Sequence, residues 1–180
     1  GLNPTVDTAE GIAAAAAAAG GTPWPVQLKV DTGMHRVGCD PADAVDLARA
    51  VLDAGLALQG TFTHLAVADE PDRPETDAIS ADGTEAAAGI DPGLRHAANS
   101  AAALVHPAAR LDLVRVGIAT YGVPPSADLE LPVPLEPAMN VRAEVSRVRS
   151  VAAGEGVSCG LRHRFRSPAR LAVVPLGYAD

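Results

Sequence analysis

The sequence predicts an α/β fold with a parallel sheet, followed by the start of a β-rich region. Strand-like apolar runs alternate with helix-like segments over residues 1–123, as in successive βαβ units. After a stretch with five prolines, at 124–137, short segments alternate apolar and polar residues as antiparallel strands do. We therefore expect an α/β domain over 1–123, a linker over 124–137 and a β-rich domain over 138–180.

Composition narrows the class of protein. The 180 residues are 48% hydrophobic and 20% charged, which is typical of a soluble globular protein. Aromatic residues make up only 3%, so the core must consist of Ala, Val and Leu. The net charge of -8 argues against a nucleic-acid partner and against an anionic membrane surface. The alanine run at 13–19 is too short to span a membrane, for which about 20 apolar residues are needed.

The two cysteines, Cys39 and Cys159, form neither a metal-ligand spacing nor a disulfide framework. We interpret both as reduced thiols in a cytoplasmic protein, and we predict no metal site. The chain begins with Gly rather than Met and ends directly after a strand-like run. Both ends therefore predict an internal piece of a longer protein.

Two helices flank the first long strand. The first is predicted over residues 8–19, capped by Thr5 or Asp7 and ended by a Gly-Gly pair. The strand follows at 26–31, and the chain then turns at Thr32-Gly33. The second helix starts at Asp40-Pro41, a good cap followed by a good first residue, and ends at Gly55.

The remaining elements follow the same alternation. Strands are predicted over 56–66, 96–100 and 111–118, with helices over 75–88 and 101–106 between them. Further strands are predicted over 138–145, 147–151 and 170–176, with a turn at 154–156.

Polar residues gather at or beyond the ends of the successive predicted strands. These residues are His35-Arg36, His64, Asn99-Ser100 and Arg115. In a parallel barrel such strand ends converge on one face, where the chemistry of these folds lies. Taken alone, His64 is more often a hydrogen-bonded structural residue, whereas an arginine within a strand is costly to bury without a partner. Ser100, at the start of a small helix, suits a phosphate group.

Four stretches resemble one enzyme family. They are residues 28–38, 63–69, 96–102 and 115–122, and shorter matches follow at 137–139, 154–158 and 175–180. The four read Leu-Lys-Val-Asp-Thr-Gly-Met-His-Arg-Val-Gly, Thr-His-Leu-Ala-Val-Ala-Asp, His-Ala-Ala-Asn-Ser-Ala-Ala and Arg-Val-Gly-Ile-Ala-Thr-Tyr-Gly. In this order and combination they resemble alanine racemase over nearly the whole chain.

The resemblance implies a TIM-type (β/α)8 barrel followed by a β domain, of which this chain holds the later barrel part and the start of the β domain. It also implies a cytoplasmic homodimer that uses pyridoxal 5'-phosphate (PLP) to interconvert L- and D-alanine. The expected partner is therefore a small amino acid, and no nucleic acid or membrane is expected.

The resemblance also assigns roles to residues. Arg36 matches the arginine near the cofactor's phenolic oxygen and the substrate carboxylate, and Lys29 matches a supporting lysine that is often carbamylated. Arg115 matches the arginine under the pyridine nitrogen, and His64 matches its support. The remaining matches are the cofactor-binding residues Asn99, Ser100, Gly117 and Ile118, and the substrate-entrance residues Asp69 and Tyr178.

Two departures from the family pattern leave the activity open. The family's Schiff-base lysine lies on the first barrel strand, in a segment absent from this chain, and the only lysine here is Lys29. The family's catalytic tyrosine is replaced by Cys159, in Val-Ser-Cys-Gly. A thiol can exchange protons, so Cys159 could substitute as the catalytic group. The alternative is that Cys159 is a small buried residue without a catalytic role.

Three hypotheses follow for the chain. It is a fragment of an alanine racemase, inactive alone; a racemase-like protein with another amino-acid substrate; or a non-catalytic module that binds PLP or only assembles.

Overall fold

The computed structural model describes residues 2–70, 72–73 and 90–178. The chain forms two compact units, Gly1–Ala138 and Met139–Asp180. Each unit has its own sheet structure and is described separately below.

A parallel sheet forms the centre of the first unit. Its strands are β1 (Thr5–Val6), β2 (Pro25–Lys29), β3 (Ala57–Phe62) and β4 (Leu94–His96). Neighbouring strands are parallel and lie in the order of the sequence, β1-β2-β3-β4. An order without reversal is that of a barrel wall, whereas a doubly wound sheet reverses its strand order.

The helices of the first unit agree with the predicted positions. They are α1 (Ala9–Ala19), α2 (Ala44–Asp53) and α3 (Ser100–Val105). Single 3-10 turns cover Pro41–Asp43, Pro107–Ala109 and Ile118–Tyr121. The predicted cap of α1 is wrong, because Thr5 pairs in β1 and the capping side chain is that of Thr8. The predicted helix start at Asp40-Pro41 is instead a 3-10 turn that leads into α2: the Asp40 side chain caps this turn by accepting a hydrogen bond from Ala42 N, whereas Asp43, at the start of α2, makes no side-chain cap bond.

The core consists mainly of Ala, Val and Leu, as the composition predicts, with Ile12 and Cys39 added. The fully buried residues Val26 and Leu28 in β2 and Val30 just after it alternate with their neighbours and pack with α1 and α2. A second apolar cluster contains alanines from β4 and α3 together with Leu65. Small side chains at these positions let the helices lie close to the sheet.

Three predicted strands of the first unit differ from the structure. The strand predicted over 96–100 lies at Leu94–His96 instead, because Asn99 caps α3 and Ser100 already begins that helix. The strand predicted over 56–66 ends at Phe62, so His64 lies in the loop that follows. The strand predicted over 111–118 is wrong: the structure has no strand there, and Asp112 N and Arg115 N donate to Arg95 O and Ala98 O. These two backbone hydrogen bonds are isolated and do not form the continuous ladder of a strand. The helix predicted over 75–88 lies outside the described residues.

The second unit is β-rich. Strand β5 (Arg147–Val151) pairs antiparallel with β8 (Ala169–Val173), and β6 (Gly156–Val157) pairs antiparallel with β7 (His163–Arg164). The predicted strand over 138–145 is wrong, because these residues are exposed and lack strand structure. Its alternating pattern would need a partner strand and a covered face. In the described part of the chain no helix is long and apolar enough to span a bilayer.

Candidate active site

A cavity of about 290 Å³ lies in the first unit, where the loops that follow the strands meet. Its lining includes Met34, His64, Asp69, Asn99, Ser100 and Ile118. These residues come from four separate stretches of sequence. The predicted convergence of His64, Asn99 and Ser100 on one site is therefore what the structure shows, with Asp69 and Ile118 beside them.

Arg115 is the most extensively bonded side chain near this cavity. Its Nη2 donates to Thr63 O at 2.7 Å and to Ala97 O at 3.1 Å, and its Nη1 donates to His96 Nδ1 at 2.6 Å. The guanidinium also lies over the Phe62 ring, 5.2 Å from its centroid. Nε takes part in none of these bonds.

Two histidines contact this arginine, and the pKa of each is lowered, which favours the neutral form. His64 Nδ1 lies 3.4 Å from Arg115 Nη2, and burial, followed by the charges of Arg115, Arg36 and Lys29, lowers the pKa of His64. Burial and the Arg115 charge lower the pKa of His96 to about 4. Neutral imidazoles beside a guanidinium avoid placing a second cation in the site.

The loop after β2 carries Arg36 and is shaped by Asp31. The Asp31 carboxylate accepts hydrogen bonds from Gly33 N and His35 N, both at 3.0 Å, and pairs with His35 Nδ1 at 3.1 Å. These bonds stabilise the left-handed backbone of His35, whose φ is 53°. The Arg36 side chain that follows is exposed.

Lys29 supports the same loop from inside the sheet. It is buried, and its Nζ donates to Val37 O, next to Arg36. Burial, together with the Arg36 charge, lowers the pKa of Lys29, although Asp31 opposes this shift. Lys29 therefore contacts the backbone beside Arg36, and the electrostatic effect between the two side chains is repulsive.

Ser100 and Asn99 start α3 and point their oxygens at backbone donors. Ser100 Oγ accepts from Gly117 N at 2.9 Å and from Ala119 N at 3.4 Å. Asn99 Oδ1 accepts from Ala102 N at 3.0 Å, which makes Asn99 the helix cap. The segment after Arg115 is thus held close to α3 by a serine hydroxyl.

Cys159 and Tyr178 lie in the second unit, and the side chains of both are exposed. The interpretation of Cys159 as a small buried residue is therefore wrong. The two cysteines are unpaired, with Cys39 buried in the first unit. Among the residues that the structure describes, no group of three or more His, Cys, Asp and Glu side chains could hold a metal ion.

Three residues of this arrangement were not identified by the sequence reasoning. His96, Phe62 and Asp31 are in contact with Arg115 or with the loop that carries Arg36. His96 was visible only as the first residue of a matching stretch. Its role depends on a strand pairing that places it opposite Phe62, which no local pattern reveals.

Comparison with known proteins identifies the family. The family model described as "Alanine racemase, N-terminal domain" matches residues 1–125, and "Alanine racemase, C-terminal domain" matches residues 138–180. The alanine racemase of Thermobifida fusca is 48% identical over 164 residues, which cover 86% of this chain and 44% of that protein. The alanine racemase of Streptomyces coelicolor is 44% identical over 179 residues, 92% of this chain and 45% of the relative.

Solved structures agree. The alanine racemase structure from Streptomyces coelicolor A3(2) superposes with a TM-score of 0.84 at 41% identity, covering 99% of this chain and 50% of that one. A histidine racemase from Leuconostoc mesenteroides gives a TM-score of 0.78 at 28% identity, covering 98% of this chain and 50% of that one.

These matches confirm the predicted fold class, part of a TIM-type barrel followed by a β domain. The chain spans about half the length of the curated relatives it matches. With family models over both of its units, the chain belongs to the alanine racemase family, whose members depend on PLP.

Proposed function

We propose that this chain forms part of the active site of a PLP-dependent amino-acid racemase that interconverts L- and D-alanine. The observation that carries the proposal is the fixed Arg115 guanidinium, held by Thr63 O, Ala97 O and His96 beside the cavity that His64 lines. An arginine bonded on two nitrogens with Nε unused is suited to recognise a planar ring that carries an acceptor.

The residues of the cavity suit PLP. Its volume of about 290 Å³ lies near the lower end, roughly 300 Å³, of small-molecule sites. Gly117 N and Ala119 N converge on one oxygen, that of Ser100, as donors in an anion site do. A side-chain carbon at Gly117 would have no atom nearer than Ser100 Oγ at 4.0 Å, so the backbone is open to a ligand there.

We assign the holding groups from the family match and this geometry. Ser100, with the backbone of Gly117 and Ile118, would bind the phosphate, and Asn99 would fix the helix start on which Ser100 lies. Arg115, supported by His64, would face the pyridine nitrogen. When bound, PLP supplies an electron sink for the substrate carbon, and a permanently protonated arginine at the ring nitrogen weakens that sink.

Arg36 and Lys29 would serve the substrate side. Arg36 is a cation on a loop whose shape Asp31 fixes, and it would bind the substrate carboxylate and the phenolic oxygen. The lowered pKa of Lys29 favours its free amine, which is the form that adds CO2. A carbamate at Lys29 would replace repulsion of Arg36 by attraction.

Cys159 would move a proton in place of the family's tyrosine. Its Sγ can release a proton to and accept one from a substrate carbon, and the thiol is exposed in the second unit. By the family match, Asp69, on the cavity wall, would lie at the substrate entrance, and Tyr178 would be contributed to an entrance across the dimer. We further propose that the protein is a homodimer, which the family match supports. We also propose a cytoplasmic location, which the two unpaired thiols support.

A second candidate is racemisation of a different amino acid. Two observations favour it: the cysteine at the position of the family's tyrosine, and the likeness to a histidine racemase. A panel of L-amino acids that includes alanine and histidine separates the two candidates.

The function is tested by adding PLP to the purified chain, and to any longer reading frame that contains it, and recording visible absorbance and product chirality. Arg115→Lys should weaken both signals, whereas Arg49→Lys, at an exposed position on α2, should change neither. Cofactor absorbance without racemisation of any amino acid would support a non-catalytic binding module. Absence of both signals would contradict the proposal.

A further inference from the structure

The bond between Arg115 and His96 fixes the state of the imidazole. A guanidinium can only donate, so the 2.6 Å contact from Arg115 Nη1 requires an unprotonated Nδ1 on His96. A neutral imidazole with an unprotonated Nδ1 carries its proton on Nε2. The arginine therefore selects one of two tautomers.

The other side of the ring selects the same tautomer. His96 Nε2 lies 3.3 Å from Gln27 Oε1, which can only accept. The orientation of Gln27 is set in turn, because its Nε2 donates to Gln59 Oε1 at 3.3 Å. Asn3 Nδ2 donates to the same Gln59 oxygen. Donation therefore runs from Arg115 through His96 and Gln27 to Gln59, where Asn3 supplies a second donor, and each donor meets an acceptor.

Packing holds the ring in place. His96 is 7% exposed. Its ring stacks on Phe62, its partner across the β3–β4 pairing, with centroids 4.7 Å apart and planes 9° apart. Phe62 also lies under the guanidinium of Arg115. One aromatic ring thus fixes both partners of the hydrogen bond.

His64 is the weaker of the two histidine contacts. It lies 3.4 Å from Nη2, a nitrogen that already donates to Thr63 O and Ala97 O. His96 binds the other terminal nitrogen at 2.6 Å. The two carbonyls therefore fix the Nη2 end of the guanidinium, and His96 fixes the Nη1 end.

We propose that His96 is a positioning residue for Arg115: as the Nε2–H tautomer selected by Gln27, it fixes the Nη1 edge and so orients the unused Nε. The effect on the reaction rests on the proposed function, because it requires Arg115 to face the cofactor ring. The tautomer and the bond do not depend on that function.

The first experiment measures the tautomer directly. Long-range 1H–15N correlation spectra of the chain labelled at histidine should show His96 as the neutral Nε2–H form, unchanged from about pH 8 to 5.5. Gln27→Leu should remove the acceptor and weaken this preference. A protonated Nδ1 in the unaltered chain, or a cationic ring near neutral pH, would overturn the proposal whether or not the protein racemises alanine.

The second experiment compares two substitutions in the PLP-loaded protein. An asparagine can place an acceptor where Nδ1 lies, whereas leucine cannot. We expect His96→Leu to lower kcat about 10- to 100-fold, as for loss of one bond to a charged group, with a smaller change in KM. It should also shift the visible absorbance of the bound cofactor, and His96→Asn should recover most of both signals.

His163→Leu is the matched control, because His163 packs on Phe165 in the second unit and is exposed. It should leave the absorbance and kcat unchanged. Equal losses in the leucine and asparagine variants would contradict a positioning role through Nδ1. If the leucine variant fails to fold, the asparagine variant and the tautomer measurement decide the question. A protein that shows the predicted tautomer but no racemisation would refute the proposed function alone.

Discussion

Single side chains of the first unit act mainly by fixing other groups. Asp31 holds the loop before Arg36, Lys29 holds the carbonyl after it, and His96 holds Arg115. In each hydrogen bond one partner can only donate or only accept. The bonds of His96 and Lys29 also depend on the tautomer of the histidine and on the protonation of the lysine. The protonation states of His96 and Lys29 are therefore the variables on which this geometry depends.

Removing the Asp31 carboxylate should release the loop that carries Arg36. Asp31→Ala leaves Gly33 N and His35 N without their acceptor, and we expect a loss of about 1–2 kcal/mol in the free energy of unfolding. Urea unfolding measures this loss. Asp31→Asn keeps an oxygen for both donors and should lose less; equal losses would show that the backbone bonds do not matter.

Lys29 should react with CO2. Because burial and Arg36 lower its pKa, more of the amine is free near neutral pH than at an exposed lysine. With 13C-labelled bicarbonate, we expect a carbamate carbon signal that disappears in Lys29→Arg, whereas any carbamate on the terminal α-amine gives the same signal in both proteins. The chain contains no other lysine, so identical carbamate signals in the two proteins would contradict the assignment.

The neutral state of His96 should make the fold sensitive to acid. Burial and Arg115 hold its pKa at about 4, below the ordinary value of 6.5, so the unfolded chain binds a proton first as pH falls. This contribution is complete above pH 6.5 and is lost between pH 6.5 and 4, by about 3 kcal/mol in total.

Urea unfolding across this pH range checks the sign and size. His96→Asn, which cannot titrate, should show a shallower decline than the unaltered chain. Part of the remaining decline in the variant belongs to His64, whose pKa burial and Arg115 also lower from 6.5, whereas carboxylates with lowered pKa values, such as Asp112 held by Arg95, lose their contribution only at lower pH. Identical slopes would mean that His96 does not titrate on unfolding.

At the scale of elements, the hydrogen bonds from Arg115 through His96 to Gln27 depend on the close approach of the parallel strands at Gly60. A side-chain carbon at Gly60 would lie 2.5 Å from Gln27 Oε1 and 2.5 Å from Leu94 O. Gln27 is the β2 partner of Gly60 across the β2–β3 pairing. The missing side chain on β3 is what lets Gln27 reach His96 on β4.

Gly60→Ala should therefore destabilise the sheet and displace Gln27. We expect a loss of about 1–3 kcal/mol, typical of overpacking, and a weaker preference of His96 for its Nε2–H tautomer. Urea unfolding and the 1H–15N spectra measure the two effects. Gly11→Ala, in α1, is the control: alanine favours helices, the new side-chain carbon would lie 3.3 Å from Thr8 Oγ1, and we expect these opposing effects to leave a change below about 1 kcal/mol. A neutral Gly60→Ala would argue against the close approach.

The elements also show what the sequence could and could not predict. Local signals predict β2 and α2. These signals are the alternation at Val26, Leu28 and Val30, and the start signal Asp40-Pro41 before α2. The segments at 111–118 and 138–145 carry the same alternation, yet neither forms a strand. Alternation reports which face is apolar, whereas a strand also needs a neighbour with a matching ladder.

The candidate site follows the same division. The strand-end positions of His64 and Ser100 are predictable from the order of elements, and the matching stretches identify Arg115. The contact between Arg115 and His96 is not predictable locally, because it depends on the pairing of β3 with β4 and on the course of a segment without regular structure.

At the scale of the whole molecule, the chain combines a parallel-sheet unit and a β-rich unit, each matched by its own family model. The cavity, Arg36, Arg115 and Ser100 belong to the first unit, whereas Cys159 and Tyr178 belong to the second. The chain spans about half the length of its curated relatives. Its part in cofactor binding and racemisation is therefore a proposal.

The central claim is that this chain contributes to a PLP-dependent racemase site. The most direct measurement is proton NMR of L-alanine incubated in D2O with the protein and PLP, followed by chiral analysis. We predict exchange of the α-proton for deuterium and formation of D-alanine, both reduced in Arg115→Lys. Exchange with histidine alone would favour the second substrate. No α-proton exchange with any amino acid, in the longest reading frame that contains the chain, would contradict the claim.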